Sequence, residues 1–163
     1  MASTLTPVCE FGRAAPDFDL PATDGNRYTL AQSMGRNGLL VMFICNHCPY
    51  VKAILPRLIN ACQILKNEGV GIVAIMSNDA SDYPEDSWES MKQLTHELAL
   101  PFPYLLDASQ SVAKSYGAVC TPDFFGFNRN FELQYRGRFD ASRKESAPEG
   151  TPSDLLIAMQ QIA

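Results

Sequence analysis

Apolar positions along the chain alternate between two rhythms. Residues 37–45, "NGLLVMFIC", form an unbroken apolar run with β-branched and aromatic members, the signature of a strand buried on both faces. From Pro49 onward the apolar residues fall at Val51, Ile54, Leu55, Leu58, Cys62 and Leu65, a helical stripe that stops near Gly69. A second strand-like run, "VGIVAIMS", follows at 70–77. Strand, helix and strand in this order predict a right-handed βαβ unit with two parallel strands.

Beyond it, Asp86 is expected to open a helix, with Glu89 completing a capping box and Trp88, Met91, Thr95 and Leu98 on one side. "FPYLLD" reads as a short strand, and Ser109 to Tyr116 as a short helix stopped by Gly117. "DFFGF" and "FELQYRG", separated by "NRN", predict an antiparallel hairpin. A closing helix after Thr151 turns Leu155, Leu156, Met159 and Ile162 inward. Ahead of the βαβ unit, "APDFDLPATDGNRYTL" punctuates short strands with Pro and Asp-Gly. The simplest assembly is an α/β fold, a central mixed sheet between helices with an N-terminal β extension. In such sheets ligand sites gather at the carboxyl ends of parallel strands, so the loops after Cys45 and after Ser77 should lie side by side.

A length of 163 residues, with 46% hydrophobic and 19% charged residues, fits one domain spanning 1–163. The net charge of −5 argues against nucleic acid or an anionic membrane surface as a partner. The opening "MASTLTPVCEFG" lacks the cationic start and apolar run of a signal peptide, and no apolar stretch is long enough to span a bilayer. The expectation is a cytoplasmic protein. There the five cysteines, Cys9, Cys45, Cys48, Cys62 and Cys120, call for an explanation by reactivity or burial rather than by a static disulfide framework.

"FICNHCPYV" places Cys45 and Cys48 three positions apart where the first strand gives way to the helix. Structural zinc wants four converging ligands, and this chain has one C-x-x-C and only His47 and His96 besides, with Cys120 the one credible addition. No cofactor is expected. A redox pair has a mechanism. Pro49 suits the first helical position, which makes Cys48 the N-cap, where free amides and the helix dipole favour an anion. A thiolate is such an anion, and His47 adds to the effect if its imidazole turns inward. Cys45 is the natural resolving partner, since residues three apart in a turn lie within bridging distance. The alternative is two small residues at the end of a buried strand.

Taken together, "APDFDLPATDG", "FICNHCPYVK", "SNDASDYPEDS", "CTPDFFGFN" and "YRG", in this order over nearly the whole chain, resemble the thioredoxin-fold superfamily. More narrowly, they resemble its peroxiredoxin-like group, the alkyl hydroperoxide reductase/thiol-specific antioxidant type. The resemblance implies that Pro122 is a cis-proline facing the active-site sulfur, and that Thr121 offers backbone groups to a bound peptide or disulfide. It also selects Cys48 as the attacking sulfur. Pro56 stands eight positions after Cys48, as a helix proline does in thioredoxins, and Cys48-Pro49 is similar to a peroxidatic cysteine with its proline. Cys45 then stands where a peroxiredoxin carries a hydrogen-bonding Thr or Ser, and Thr121-Pro122 where it carries an activating Arg. Two of the three peroxidatic groups are therefore replaced, which removes support for O–O cleavage.

The leading expectation is a thiol–disulfide oxidoreductase and antioxidant-type redox protein using Cys48 and Cys45, with Thr121 and Pro122 at the substrate and His47 and Pro49 as modulators. A thiol peroxidase with Cys48 peroxidatic is the second reading, and a noncatalytic thiol or metal-binding module built on Cys45, Cys48 and Cys120 is the third. The expected partners are a protein or small-molecule disulfide, or a peroxide, and an external thiol reductant. Monomer and homodimer both stay open, because the Phe124-Phe125 segment reads as an apolar edge. Cys120 is a candidate third redox thiol, Cys62 a core residue, and Cys9 part of a mobile tail. His96 is expected in solvent. The acidic residues Asp79, Asp82, Glu85 and Asp86 are expected to cap and solvate, or else to repel anionic substrates. Tyr83 is placed at the pocket border and Trp88 in the core.

Overall fold

A computed structural model describes residues 9–142 and 152–163. Its first elements are a small antiparallel hairpin, β1 (Asp19–Pro21) and β2 (Arg27–Thr29), in register from Asp19 opposite Thr29 to Pro21 opposite Arg27. Next comes a four-residue helix that the apolar pattern did not reveal, α1 (Leu30–Ser33), closed by a capping box between Thr29 and Gln32. Then follow β3 (Leu39–Phe43), α2 (Pro49–Asn67) and β4 (Gly71–Met76). A 3₁₀ turn at Pro84–Asp86 leads into α3 (Trp88–Leu98). The remaining elements are β5 (Tyr104–Leu106), α4 (Ser111–Tyr116), β6 (Asp123–Phe127), β7 (Leu133–Gly137) and α5 (Asp154–Ile162). Thr151, from which the closing helix was expected to follow, lies outside the described residues.

Five strands form one mixed sheet in the order β5-β4-β3-β6-β7. β3, β4 and β5 run parallel, while β6 is antiparallel to both β3 and β7. The continuous apolar run of β3 is explained by its place at the centre. Leu40 and Met42 join a core shared with α2, α3 and α5, whereas Leu39, Val41 and Phe43 join a second core with α4 and the hairpin. α5 lies against β6 at Gly126, where an added Cβ would come within 2.5 Å of the Met159 sulfur. Gly117 ends α4 with φ of 70°, a left-handed conformation suited to glycine. Among the described residues no helix is long and apolar enough to cross a membrane.

Several expectations need correction. Asp86 does not open α3: it belongs to the preceding 3₁₀ turn and is fully buried, and the helix is capped by Ser87, whose side chain accepts from the Ser90 amide. Leu98 faces solvent rather than the core. Phe124 and Phe125 are no apolar edge, because β6 runs between β3 and β7 and buries both rings. Cys9 is half-buried against the second core, close to Arg136, and so belongs to the packed fold.

Candidate active site

The carboxyl end of β3 delivers the cysteine pair to the edge where β4 and the turn before β6 also end. Cys48 is the N-cap of α2 and Pro49 occupies its first turn. Both sulfurs meet one residue across the sheet edge. Cys48 Sγ lies 3.3 Å from the Thr121 carbonyl oxygen, and Cys45 Sγ lies 3.4 Å from the Thr121 hydroxyl. The Thr121-Pro122 peptide bond is cis. Both cysteines are buried.

Cys48 is lowered to about 5. The largest cause is a hydrogen bond from the Cys45 thiol; the Thr121 hydroxyl and the amides of Val51 and Tyr50 add to it, and burial opposes it. Cys45 moves the other way, held protonated far above the ordinary thiol range by its bond to Cys48 and by burial. The two adjacent sulfurs thus titrate as a pair, their mutual hydrogen bond lowering Cys48 and raising Cys45.

The loop holding the pair is fixed from below by Asp86. One of its oxygens accepts from the amides of Asn46 (2.7 Å) and His47 (3.0 Å), and the other meets the His47 ring at Nδ1 and the Asn78 side chain at 3.4 Å. Here the loops after β3 and after β4 are joined, side by side as their topology requires. The His47 ring stacks on Tyr83 with centroids 3.9 Å apart and planes 5° from parallel. Asn46 accepts from the Tyr104 hydroxyl at 2.9 Å. The imidazole therefore turns to Asp86 and Tyr83. A Cys45 sulfur, a His47 ring nitrogen and an Asp86 oxygen all lie within 4.8 Å of one another. Both Asp86 oxygens already accept hydrogen bonds, so this trio lacks a free carboxylate to offer a metal, and Cys120 does not join it.

Cys120 is half-buried on the wall of a cavity of about 430 Å³, together with Ser77, Asn78, Lys114 and Thr121. Burial and the charge of Asp123 push its thiol up to about 11. The nearby guanidinium of Arg136, itself largely buried, is engaged by Asp123 Oδ2 at 3.0 Å and the Gly117 carbonyl at 2.7 Å. Cys62 is a core residue, pushed up to about 12 by burial alone. His96, Asp79, Asp82 and Glu85 are exposed. Trp88 packs partly against the core, and Tyr83 is half-exposed over His47. What the sequence reading missed was Asp86 as the anchor of the cysteine loop. The adjacent Ser87 was the signal: with two capping residues in a row, one was free for another task.

A parallel β3-β4-β5 core continued by an antiparallel β6-β7 hairpin, with a cysteine at the N-terminus of α2 facing a cis-proline, defines a thioredoxin-like protein. Residues 11–139 match the AhpC/TSA family, and the chain belongs to that family. A crystal structure of an uncharacterized conserved protein from Geobacillus kaustophilus is 44% identical, with a TM-score of 0.85 over 93% of this chain and 79% of that one. The thioredoxin domain of a thiol-disulfide oxidoreductase from Bacteroides vulgatus shares the fold at 19% identity and a TM-score of 0.68, over 94% of this chain and 98% of that one. Peroxidoxin BcpB from Mycobacterium tuberculosis does so at 14% and 0.70, over 96% and 99%. No curated protein matches the sequence. The family and fold together support thiol-dependent redox chemistry.

Proposed function

We propose that the protein is a thiol–disulfide oxidoreductase working through Cys48 and Cys45. The observation that carries this reading is the meeting of two adjacent sulfurs on Thr121 at the start of α2, where their mutual hydrogen bond lowers Cys48 and raises Cys45. The Cys48 thiolate attacks one sulfur of a substrate disulfide and expels the other as a thiolate. Cys45 then loses its proton, attacks the Cys48 sulfur and expels the second substrate thiolate, leaving a Cys45–Cys48 disulfide. Two electrons pass to the substrate, and an external thiol returns them. Neither cysteine has appreciable exposed surface, so attack follows a local opening around Thr121, next to the cavity.

Magnitudes indicate which way the pair leans. At pH 7 a thiol ionising near 5 is about 99% thiolate against about 3% for an ordinary one, a gain of about 30-fold, yet a Brønsted slope near 0.45 removes about 40-fold in nucleophilicity. Attack gains nothing. What gains is departure of Cys48 as a thiolate, which eases the same cycle run backwards, the passing of a disulfide to a substrate dithiol.

Family membership favours a second reading, reduction of a peroxide by Cys48 to water or an alcohol with formation of a sulfenic acid that Cys45 or Cys120 condenses with. Cys45 and Thr121-Pro122 stand where the resemblance expects a hydrogen-bonding Thr or Ser and an activating Arg, and Arg136 pairs with Asp123 through Nη2, so this reading comes second. Mixing reduced protein with one equivalent of oxidised glutathione and, separately, of hydrogen peroxide tests both. Fast thiol loss with the disulfide and slow loss with peroxide is the expected result; the reverse order overturns the proposal.

A further inference from the structure

Resolution has a difficulty that the pair does not solve alone. Cys45 must become a thiolate to attack Cys48, yet burial holds it protonated, and once Cys48 is bound to substrate it no longer needs the Cys45 proton. A base must be at hand. The described groups around Cys45 are the Thr121 hydroxyl, Cys48, the His47 ring and Asp86.

Resting on the reading above, we propose that the His47–Asp86 pair is the acid–base device of the resolving step, taking the proton from Cys45 as Cys45 closes on Cys48. Asp86 is fully buried and uses two loop amides to hold its carboxylate under the ring. With Nδ1–H donating to that carboxylate, the remaining ring nitrogen carries the lone pair, and the imidazolium formed on proton uptake rests beside a negative charge. Tyr83 on the ring face fixes the plane. A His47 ring nitrogen and an Asp86 oxygen each lie within 4.8 Å of the Cys45 sulfur, and because Nδ1 is held by Asp86 the proton reaches the other ring nitrogen through a bridging water or a small loop movement. Of the other charged groups near this loop, Glu85 turns outward to Lys52 at 3.1 Å, and the Tyr104 hydroxyl is tied to Asn46.

The step balances. The Cys45 proton goes to the imidazole, the Cys45 sulfur forms a bond to Cys48 Sγ, the bond from Cys48 to the substrate sulfur breaks, and the departing thiolate takes a proton from the imidazolium or from solvent. In reverse, the imidazolium protonates Cys45 as it leaves.

Acid quenching and alkylation after mixing reduced protein with oxidised glutathione separates the glutathione adduct at Cys48 from the Cys45–Cys48 disulfide by mass. In His47→Gln the adduct should form within about twofold of the native rate and decay about a hundredfold more slowly. Imidazole added to His47→Ala should restore decay in proportion to its free base. Equal slowing of both steps, unchanged decay, or no rescue overturns the proposal. Absence of both the Cys48 adduct and the Cys45–Cys48 disulfide in the native protein overturns the functional reading as well, whereas an adduct that forms and resolves indifferently to His47 overturns this inference alone.

Discussion

Two cysteines on one helix show what separates a reactive sulfur from an inert one. Cys48 and Cys62 both belong to the α2 segment, and both are 0% exposed. Cys62 meets apolar neighbours and is pushed up to about 12, whereas Cys48 meets a thiol, a hydroxyl and two helix amides and is brought down to about 5. Cys62 lies deeper, but burial raises both thiols, so the hydrogen-bond donors around Cys48 decide the sign. The largest contrast should come from truncating each. Cys48→Ala should reduce disulfide exchange by at least about a thousandfold, as loss of a nucleophile does. Cys62→Ala should leave exchange intact and cost about 1–2 kcal/mol of stability by opening a small cavity. Exchange rates with oxidised glutathione and thermal melts of the two variants check the pair; retained exchange in Cys48→Ala would break the comparison outright.

A smaller effect isolates one donor. Thr121→Val removes the hydroxyl that faces both sulfurs and keeps the shape of the side chain. The thiolate absorbance of Cys48 should titrate about one pH unit higher, in keeping with the loss of one hydrogen bond to a charged group. The same charge sets a pH dependence of stability. Cys48 ionises below an unfolded cysteine, so its contribution to the reduced fold is complete above the unfolded value and is lost as pH falls towards about 5. Cys45, raised in the fold, contributes below the unfolded value and loses this as pH climbs. The gap in melting temperature between reduced native protein and Cys48→Ala should therefore widen from pH 5 to pH 8. A gap that stays constant would mean that the donors do not act as described.

Much of this was legible in the sequence, because β3, α2 and β4 carry strong periodic patterns and Pro49 marks a helix start without tertiary help. The adjacency of the loops after β3 and β4 followed from parallel topology alone. What stayed hidden depends on contacts across the sequence. Asp86 lies about forty positions from the loop it anchors, and its spacing to Glu89 mimics a capping box, whereas the helix is capped by the Ser87 side chain. The orientation of His47 depends on that same carboxylate and on Tyr83, neither of which its own neighbourhood in the sequence points to. The burial of Phe124 and Phe125 likewise follows from strand order, because a hairpin strand reads the same at an edge as beside the centre.

The least effect, and the finest cut, concerns the third sulfur near the site. Cys120 is the most accessible of the three and sits on the cavity wall, so access alone would make it the reactive one. Ionisation argues otherwise. At about 11, set by burial and by Asp123 against a weaker pull from Arg136, only about one molecule in ten thousand carries the thiolate at pH 7. The Cys48 anion raises it further, so the two sulfurs do not ionise together. Access without ionisation and ionisation without access are thus divided between neighbouring cysteines, and the proposed mechanism depends on the second. Cys120→Ser should leave both formation and decay of the Cys48 adduct within about twofold of native, because neither step uses that sulfur. Decay slowed tenfold or more, with a Cys48–Cys120 disulfide among the native products, would transfer the resolving role from Cys45 to Cys120.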